Sequence, residues 1–296
     1  MKFYKRISTI LIAFLILALV SGCTNNTSNE DVLVMGFVPM RDGDALIESV
    51  KPLEELLSQE LGIKVKAFTA TNYVGVVEGL GSGQVDFGFI PPFAYVLANS
   101  ENKAQVILTA LNSSGKSNYR SQFLVSSDDN SISSLEDLQG KKVAFVDFSS
   151  TSGYLFPGAH LAGLGLELDN DIEVIIAGGH DKALQLLLNG DVDAATTFVD
   201  ARDRYASDFP GAMEKTRVLG YTDYIPNITV TTRGTMESEL QGRIQAALLN
   251  IAESEEGAEM LKELFNMYGF VKASDSDYDI IRETARLMNV NLKEQD

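Results

Sequence analysis

Apolar positions along the chain follow two alternating periods. Runs rich in β-branched and aromatic residues lie at 32–38, 64–69 and 85–90, and each is followed by a stretch in which apolar residues recur every three or four positions, at 45–61, 73–80 and 94–99. The runs predict strands and the stretches predict amphipathic helices; strands that alternate with helices pair in parallel through helical crossovers. The pattern restarts with a predicted strand at 141–146, a turn at 147–151 and a helix at 152–164. It continues with a strand at 172–177, a helix at 182–188 and a strand at 192–197. This reads as an α/β chain of two similar units rather than one long sheet.

The two units share an echo. Gly81-Ser82-Gly83-Gln84-Val85-Asp86-Phe87-Gly88 closes a helix and opens a strand, and Leu188-Asn189-Gly190-Asp191-Val192-Asp193-Ala194-Ala195 does the same in the second unit. In each, glycine is expected to end the helix in a left-handed cap while Val-Asp enters the strand. The strands lead into Pro91-Pro92-Phe93-Ala94-Tyr95 and Phe198-Val199-Asp200. Ligands of open parallel sheets sit beyond the carboxyl ends of the strands, so both loops are candidates to face one cleft; taken alone, the turn is an ordinary helix-to-strand connection.

Ahead of the first strand, Lys2, Lys5 and Arg6 precede an apolar run at 10–20 and then Val20-Ser21-Gly22-Cys23. Charge, apolar core and small residues in that order read as a secretory signal over residues 1–22, and the run falls short of the ~20 residues that span a bilayer comfortably. Cys23 is the only cysteine, so it has no partner for an internal disulfide. The run resembles a bacterial lipobox, which implies lipidation of Cys23. A single acyl chain binds membranes only marginally, so lasting attachment takes several. The alternative is a free thiol on a secreted protein. Residues 24–31 are Asn, Ser, Thr and acids without apolar period, which makes 23–31 a flexible tether.

Composition narrows the partners. The formal charge is −17, and loss of residues 1–22 removes three positive side chains and no acid, bringing it to about −20. Such a surface repels nucleic acid and anionic headgroups, so no nucleic acid is expected and contact with the membrane is through the lipid alone. His160 and His180 are the only histidines; with one cysteine and no His/Glu helix motif, neither a metal site nor a cofactor motif is legible.

Candidate chemistry gathers after the restart. Asp147-Phe148-Ser149-Ser150-Thr151-Ser152-Gly153 falls between a predicted strand and a helix. A helix amino end presents unpaired N–H groups and a partial positive charge, and Ser150, Thr151 and Ser152 add hydroxyl donors, a set able to hold a tetrahedral oxyanion without lysine or arginine. The same residues serve equally as helix caps. His180, after Gly178-Gly179 and before a helix, either donates to a ligand oxygen or is satisfied locally. His160, with apolar neighbours, is expected to pack or face solvent.

Several motifs carry a family resemblance, in order over nearly the whole chain beyond the tether. They are Gly36-Phe37-Val38-Pro39; Ser82-Gly83-Gln84-Val85-Asp86 before Pro92-Phe93-Ala94-Tyr95-Val96; Leu135-Glu136-Asp137-Leu138-Gln139-Gly140-Lys141-Lys142-Val143-Ala144; Ser150-Thr151-Ser152-Gly153-Tyr154; and Gly179-His180-Asp181. Together they resemble the phosphate/phosphite/phosphonate-binding proteins of ABC transporters. The resemblance implies a type II periplasmic-binding-protein fold, two lobes joined by two crossover strands with the ligand cleft between them. By that analogy the crossovers fall at 122–126 and 227–232, lobe one comprises 32–122 and 225–296, and lobe two 123–224. It also implies that the Ser-Thr-Ser segment wraps the phosphorus oxygens.

Asp200 and Tyr95 complete the candidate set. A carboxylate beside an anion is unfavourable unless a proton lies between them; a monoprotonated phosphorus oxyanion supplies that proton and sulfate at neutral pH does not, so Asp200 would discriminate against sulfate. Its alternative is the N-cap of the helix starting at Ala201. Tyr95 offers a phenolic hydroxyl from lobe one, or is a half-buried core residue. Pro91-Pro92, where many relatives carry Gly-Pro, and Met40-Arg41 depart from the family pattern at positions that would sense the ligand's organic group.

The expectation is a lipid-anchored, extracytoplasmic solute-binding protein of an ABC importer. It would capture a small phosphorus oxyanion by hinge closure and deliver it to a permease, as a monomer. Alternatives are a ligand-binding sensor of the same fold, a carrier of an unrelated metabolite, or a hydrolase built on Ser150 or Ser152, His180 and Asp200. No G-x-S-x-G elbow supports the last, and the chain is expected not to be an enzyme.

Overall fold

A computed structural model describes residues 32–39 and 43–292. The signal-like segment, Cys23, the tether and Met40-Arg41 lie outside the described residues. The first half begins with β1 (Val32–Phe37), α1 (Gly43–Ser49), α2 (Lys51–Leu61) and β2 (Lys64–Thr69), then α3 (Tyr73–Ser82), β3 (Phe87–Ile90), α4 (Pro92–Asn102) and β4 (Gln105–Ala110). The single helix expected over 45–61 is broken at Val50: Pro52 has no N–H to donate to the preceding turn, and it opens the second helix instead.

The chain then enters β5 (Asn118–Ser126), β6 (Lys142–Phe145), α5 (Phe156–Gly163), β7 (Glu173–Ile176), α6 (His180–Asn189) and β8 (Ala194–Phe198). The short helices α7 (Ala201–Arg204) and α8 (Ala212–Lys215) lead into β9 (Thr216–Pro226). It returns through β10 (Thr229–Thr232), α9 (Ser238–Glu253), α10 (Glu255–Phe265), β11 (Phe270–Lys272) and α11 (Asp279–Leu287). No helix among the described residues is long and apolar enough to cross a membrane.

Two sheets result, in the orders β11-β4-β10-β3-β1-β2 and β7-β6-β8-β5-β9. Parallel pairing holds where helices intervene: β1 is parallel to β2 and β3, and β6 to β7 and β8. It does not extend further, because β10 is antiparallel to β3 and β4, and β5 to β8 and β9. These strands reach their sheets by direct passage from the other sheet, and an antiparallel pair needs no helical crossover. The chain passes between sheets at 111–117 and 227–228, so the second sheet spans Asn118 to Pro226, slightly wider than the 123–224 segment.

The echoed turns have one physical role in both sheets. Gly83 and Gly190 end α3 and α6 in the left-handed region, each at φ 78°. Asp86 donates its N–H to the Val34 carbonyl at 2.9 Å and accepts the Val34 N–H at 2.8 Å; Asp193 holds Lys142 in the same way at 2.9 and 2.8 Å. Each aspartate thus clasps the first parallel strand of its sheet. Asp86 also pairs with Arg233 at 2.9 Å.

Three cores fill the layers. One, under the first sheet, packs Leu53, Leu57, Ile244, Leu248 and Leu261 against β1 and β3. There Phe37 and Phe89, paired in register, stack with Phe265 at ring separations of 5.4 to 5.7 Å. A second packs against the second sheet around Phe123, Val143, Phe145 and Leu161. The third takes Val76, Leu80 and Ala98 from the first half together with Ala144, Val146, Leu155 and Leu184 from the second. It seats the carboxyl ends of the two sheets against each other.

Candidate functional site

The loop after β6 is folded by Asp147. Its Oδ1 accepts the Ser149 N–H at 2.9 Å and the Ser149 hydroxyl at 2.8 Å, and its carbonyl accepts the Ser150 N–H at 2.9 Å. Ser150 caps the following helix, its hydroxyl accepting the Gly153 N–H at 3.1 Å. The cap set out as one alternative above is thus made by Ser150. Thr151 and Ser152 follow the cap, where N–H groups have no acceptor within the helix. The first turn is wide, the Phe156 N–H closing on the Thr151 carbonyl. Gly153 is required here: a Cβ would lie 2.3 Å from Val146 Cγ2. Ser149 to Ser152 are buried, and among the described residues no lysine or arginine is hydrogen-bonded to them.

His180 opens α6 from Gly179 and is buried. Its Nδ1 lies 2.8 Å from the Thr197 hydroxyl, and its ring stands edge-on to Phe198 at 4.8 Å. Burial pushes its pKa down to about 3, so the ring is neutral at physiological pH. In the tautomer in which the Thr197 hydroxyl donates to Nδ1, the ring proton sits on Nε2 and makes that nitrogen a hydrogen-bond donor; in the other, Nδ1–H donates to Thr197. His160 packs on Phe123, its ring 6.0 Å away.

Asp200 stands just past β8 with φ 70°, a left-handed backbone that aspartate adopts more readily than most residues. It stands at the N-cap position of α7, where its carbonyl accepts the Arg204 N–H at 2.9 Å, but its exposed side chain makes no capping bond. Desolvation of the part of the carboxyl that lies against the protein, and secondarily Asp203, raise its pKa above the ordinary carboxylate value.

The opposite wall is made of main chain. Helices α3 and α4 aim their amino ends at the Asp147–Thr151 turn: the Tyr73 N–H donates to Asp147 Oδ2 at 3.4 Å and the Phe93 N–H to Thr151 Oγ1 at 2.9 Å. Tyr95 is turned elsewhere. Fully buried, it donates its hydroxyl to Asp275 and meets Tyr278 edge-on at 4.9 Å, while Arg282 also binds Asp275. Burial, then Asp275, raise its pKa well above the usual phenol range.

The contact that this loop makes with the Asp147–Thr151 turn comes from the Phe93 amide, two residues before Tyr95. Tyr119, at the start of β5, joins the site unannounced: burial raises its pKa to about 12, and the hydroxyls of Ser152 and Thr151 beside it pull in the opposite direction. Thr197 was legible only as the end of the echoed strand. The amide donors left no signal, since every residue but proline carries one.

Two sheets whose facing loops present amide, hydroxyl and imidazole donors, joined across the cleft by hydrogen bonds, define a solute-binding clamp of the type II periplasmic-binding-protein fold. A family model described as the periplasmic substrate-binding protein of phosphonate ABC transporters matches residues 35–278, and the chain belongs to that family. The phosphate-import protein PhnD of Mycolicibacterium smegmatis is 29% identical over 293 residues, covering 89% of this chain and 90% of the relative. The phosphonates-binding periplasmic protein of Escherichia coli is 24% identical, covering 90% and 82%. Among solved structures, the binding-protein component of a Pseudomonas aeruginosa ABC phosphonate transporter superposes with a TM-score of 0.81 at 22% identity, covering 88% and 87%. PhnD1 of Prochlorococcus marinus with methylphosphonate does so with 0.79 at 23%, covering 89% and 100%. At these identities the structural likenesses establish the fold.

Proposed function

We propose that this substrate-binding protein captures a small phosphorus oxyanion, a phosphonate, phosphite or phosphate, and holds it at the Ser150–Ser152 turn. The observation that carries the reading is the buried turn itself, with first-turn amides and hydroxyls as the donors and no cation bonded to it among the described residues. Uncharged donors fix a tetrahedral anion by directed hydrogen bonds, and a helix amino end favours its charge. His180 adds an Nε2 donor. Asp200, exposed and with no capping bond, is free as a carboxylate to accept the proton of a monoprotonated ligand, a proton that sulfate cannot supply. Relatives named for phosphate import and for phosphonate binding support the same class.

The lobes correspond in this reading to 32–122 with 225–296, and to 123–224, adjusted to the sheet passages at 111–117 and 227–228. Cys23 carries the lipid, so that a monomer is held at the outer face of the membrane beside its permease; the lipobox-like Val20-Ser21-Gly22-Cys23 supports this. The protein binds without turnover. In a triad a carboxylate orients the histidine, whereas Nδ1 of His180 is bonded to Thr197. Tyr95, on α4, is bonded to Asp275 and packed on Tyr278, and in this reading supports the helix in place of ligand contact.

Isothermal titration with phosphite, methylphosphonate, 2-aminoethylphosphonate, phosphate and sulfate, after removal of carried-over ligand, tests the reading. Tight binding of a phosphorus oxyanion with none of sulfate is the expected result, and Asp200→Asn should narrow that gap. Absence of binding to all five would leave the turn a plain helix cap.

A further inference from the structure

The turn assigned to the anion also accepts the two hydrogen bonds that reach it from the opposite sheet. The donors, Tyr73 N–H and Phe93 N–H, lie in the first turns of α3 and α4, where the helix itself offers no acceptor. Asp147 divides its oxygens between two tasks: Oδ1 takes both donors of Ser149, and Oδ2 faces Tyr73 across the cleft. The carboxylate stands at the amino end of a ten-residue helix capped by Asn72, a position that favours negative charge.

We infer that Asp147 is a positioning residue for closure: one carboxylate oxygen holds the anion-binding turn in shape, and the other latches that turn to α3 of the opposite sheet. The inference rests on the ligand reading above for its effect on binding, but not for its effect on closure. With both tasks on one side chain, the turn that grips the ligand is the part that docks when the cleft shuts, so binding and closure favour each other through differential contacts.

Charge makes the sign of the effect diagnostic. A carboxylate that merely stood near the bound anion would repel it, and neutralising it would tighten binding. Asp147→Asn keeps an oxygen for the two Ser149 donors and sets an amide NH₂ against the Tyr73 N–H, so the latch is lost while the turn survives. The expected result is methylphosphonate, phosphite or phosphate binding weakened about five- to tenfold by isothermal titration, the loss of one long hydrogen bond. An unchanged thermal midpoint and a larger radius of gyration by X-ray scattering, with and without anion, should accompany it.

Equal or tighter binding with an unchanged radius would overturn the assignment. Should the parent bind none of the three anions, the ligand reading fails and the anion-free radius decides the latch: expansion in Asp147→Asn upholds it, and no change removes it. Thr151→Val, which deletes the second cross-cleft bond, should expand the molecule in the same direction and serves if Asp147→Asn does not fold.

Discussion

The two lobes are built alike and equipped differently. Each has three parallel strands, a fourth strand entering antiparallel from the other lobe, and a Val-Asp turn that clasps the first strand. Beyond the matching strand ends, however, the first lobe meets the cleft with Pro91, Pro92 and the Phe93 amide. The second offers Thr197, Phe198 and Asp200, together with the hydroxyl-rich turn after β6. A shared scaffold thus meets the facing turn through the Tyr73 and Phe93 amides on one side and carries polar side chains, hydroxyl, imidazole and carboxylate, on the other. Main-chain donors are rigid and indifferent to residue identity, whereas hydroxyls and imidazole place their protons where a particular ligand needs them. Selectivity is therefore expected to reside in the second lobe and the framework for closure in the first.

The largest expected effect lies on the side-chain wall. Thr151→Val deletes a hydroxyl and leaves the buried Phe93 N–H without its acceptor, a loss of about 1–3 kcal/mol, and should weaken oxyanion binding roughly ten- to hundredfold by titration. Binding at parental strength would put selectivity elsewhere. Gly88→Ala probes the framework. A Cβ there would lie 2.6 Å from the Gly36 carbonyl oxygen in the middle of the first sheet, so a stability loss of about 1–3 kcal/mol is expected in chemical denaturation. The echoed position in the second lobe is already Ala195, and Ala195→Gly should cost only about 0.5–1 kcal/mol.

The two clasping aspartates give a finer comparison. Asp86→Ala removes a strand clasp and the Arg233 pair, and should cost about 1–2 kcal/mol; Asp193→Ala removes a clasp alone and should cost less. A reversed order would mean that Arg233 contributes nothing.

At neutral pH the smallest effect is that of His180, whose response develops only in acid. Its folded pKa of about 3 lies below the unfolded value near 6.5, so between these values the unfolded chain binds the extra proton. The contribution of His180 to stability is therefore fully present above about pH 6.5 and declines as pH falls toward 3. His180→Asn should flatten the thermal midpoint over that window relative to the parent, while oxyanion binding by the parent shows no titration of His180 between about pH 6 and 8.

Legibility in the sequence followed the range of the interaction. The strands and helices of both α/β units, the left-handed glycine caps and the hydroxyl-rich turn are local features, written in period and residue type, and they appear close to where they were expected. The antiparallel entries of β5 and β10 were not visible, because a strand's partner depends on how the chain crosses between sheets rather than on its own residues. Tyr95 was the most plausible side-chain donor of its loop. Yet α4 begins at Pro92, two residues before its predicted start, and its packing carries the Tyr95 hydroxyl to Asp275 while the Phe93 amide faces Thr151. Asp147 and Tyr119 depend equally on distant chain: one side chain reaches a helix start 74 residues away, the other a turn on the far side of β6.

By itself, then, the amino-acid sequence determined the α/β class, the duplicated units, the acidic character and the hydroxyl-bearing turn, since these rest on propensity, periodicity and composition. Only the tertiary structure decided which donors converge, which tyrosine is diverted into the framework, and that a single turn both caps a helix and meets the opposite lobe. Hydrogen bonds are short and directional, so whether two groups form one depends on where separate elements are brought by packing, and no local pattern records that.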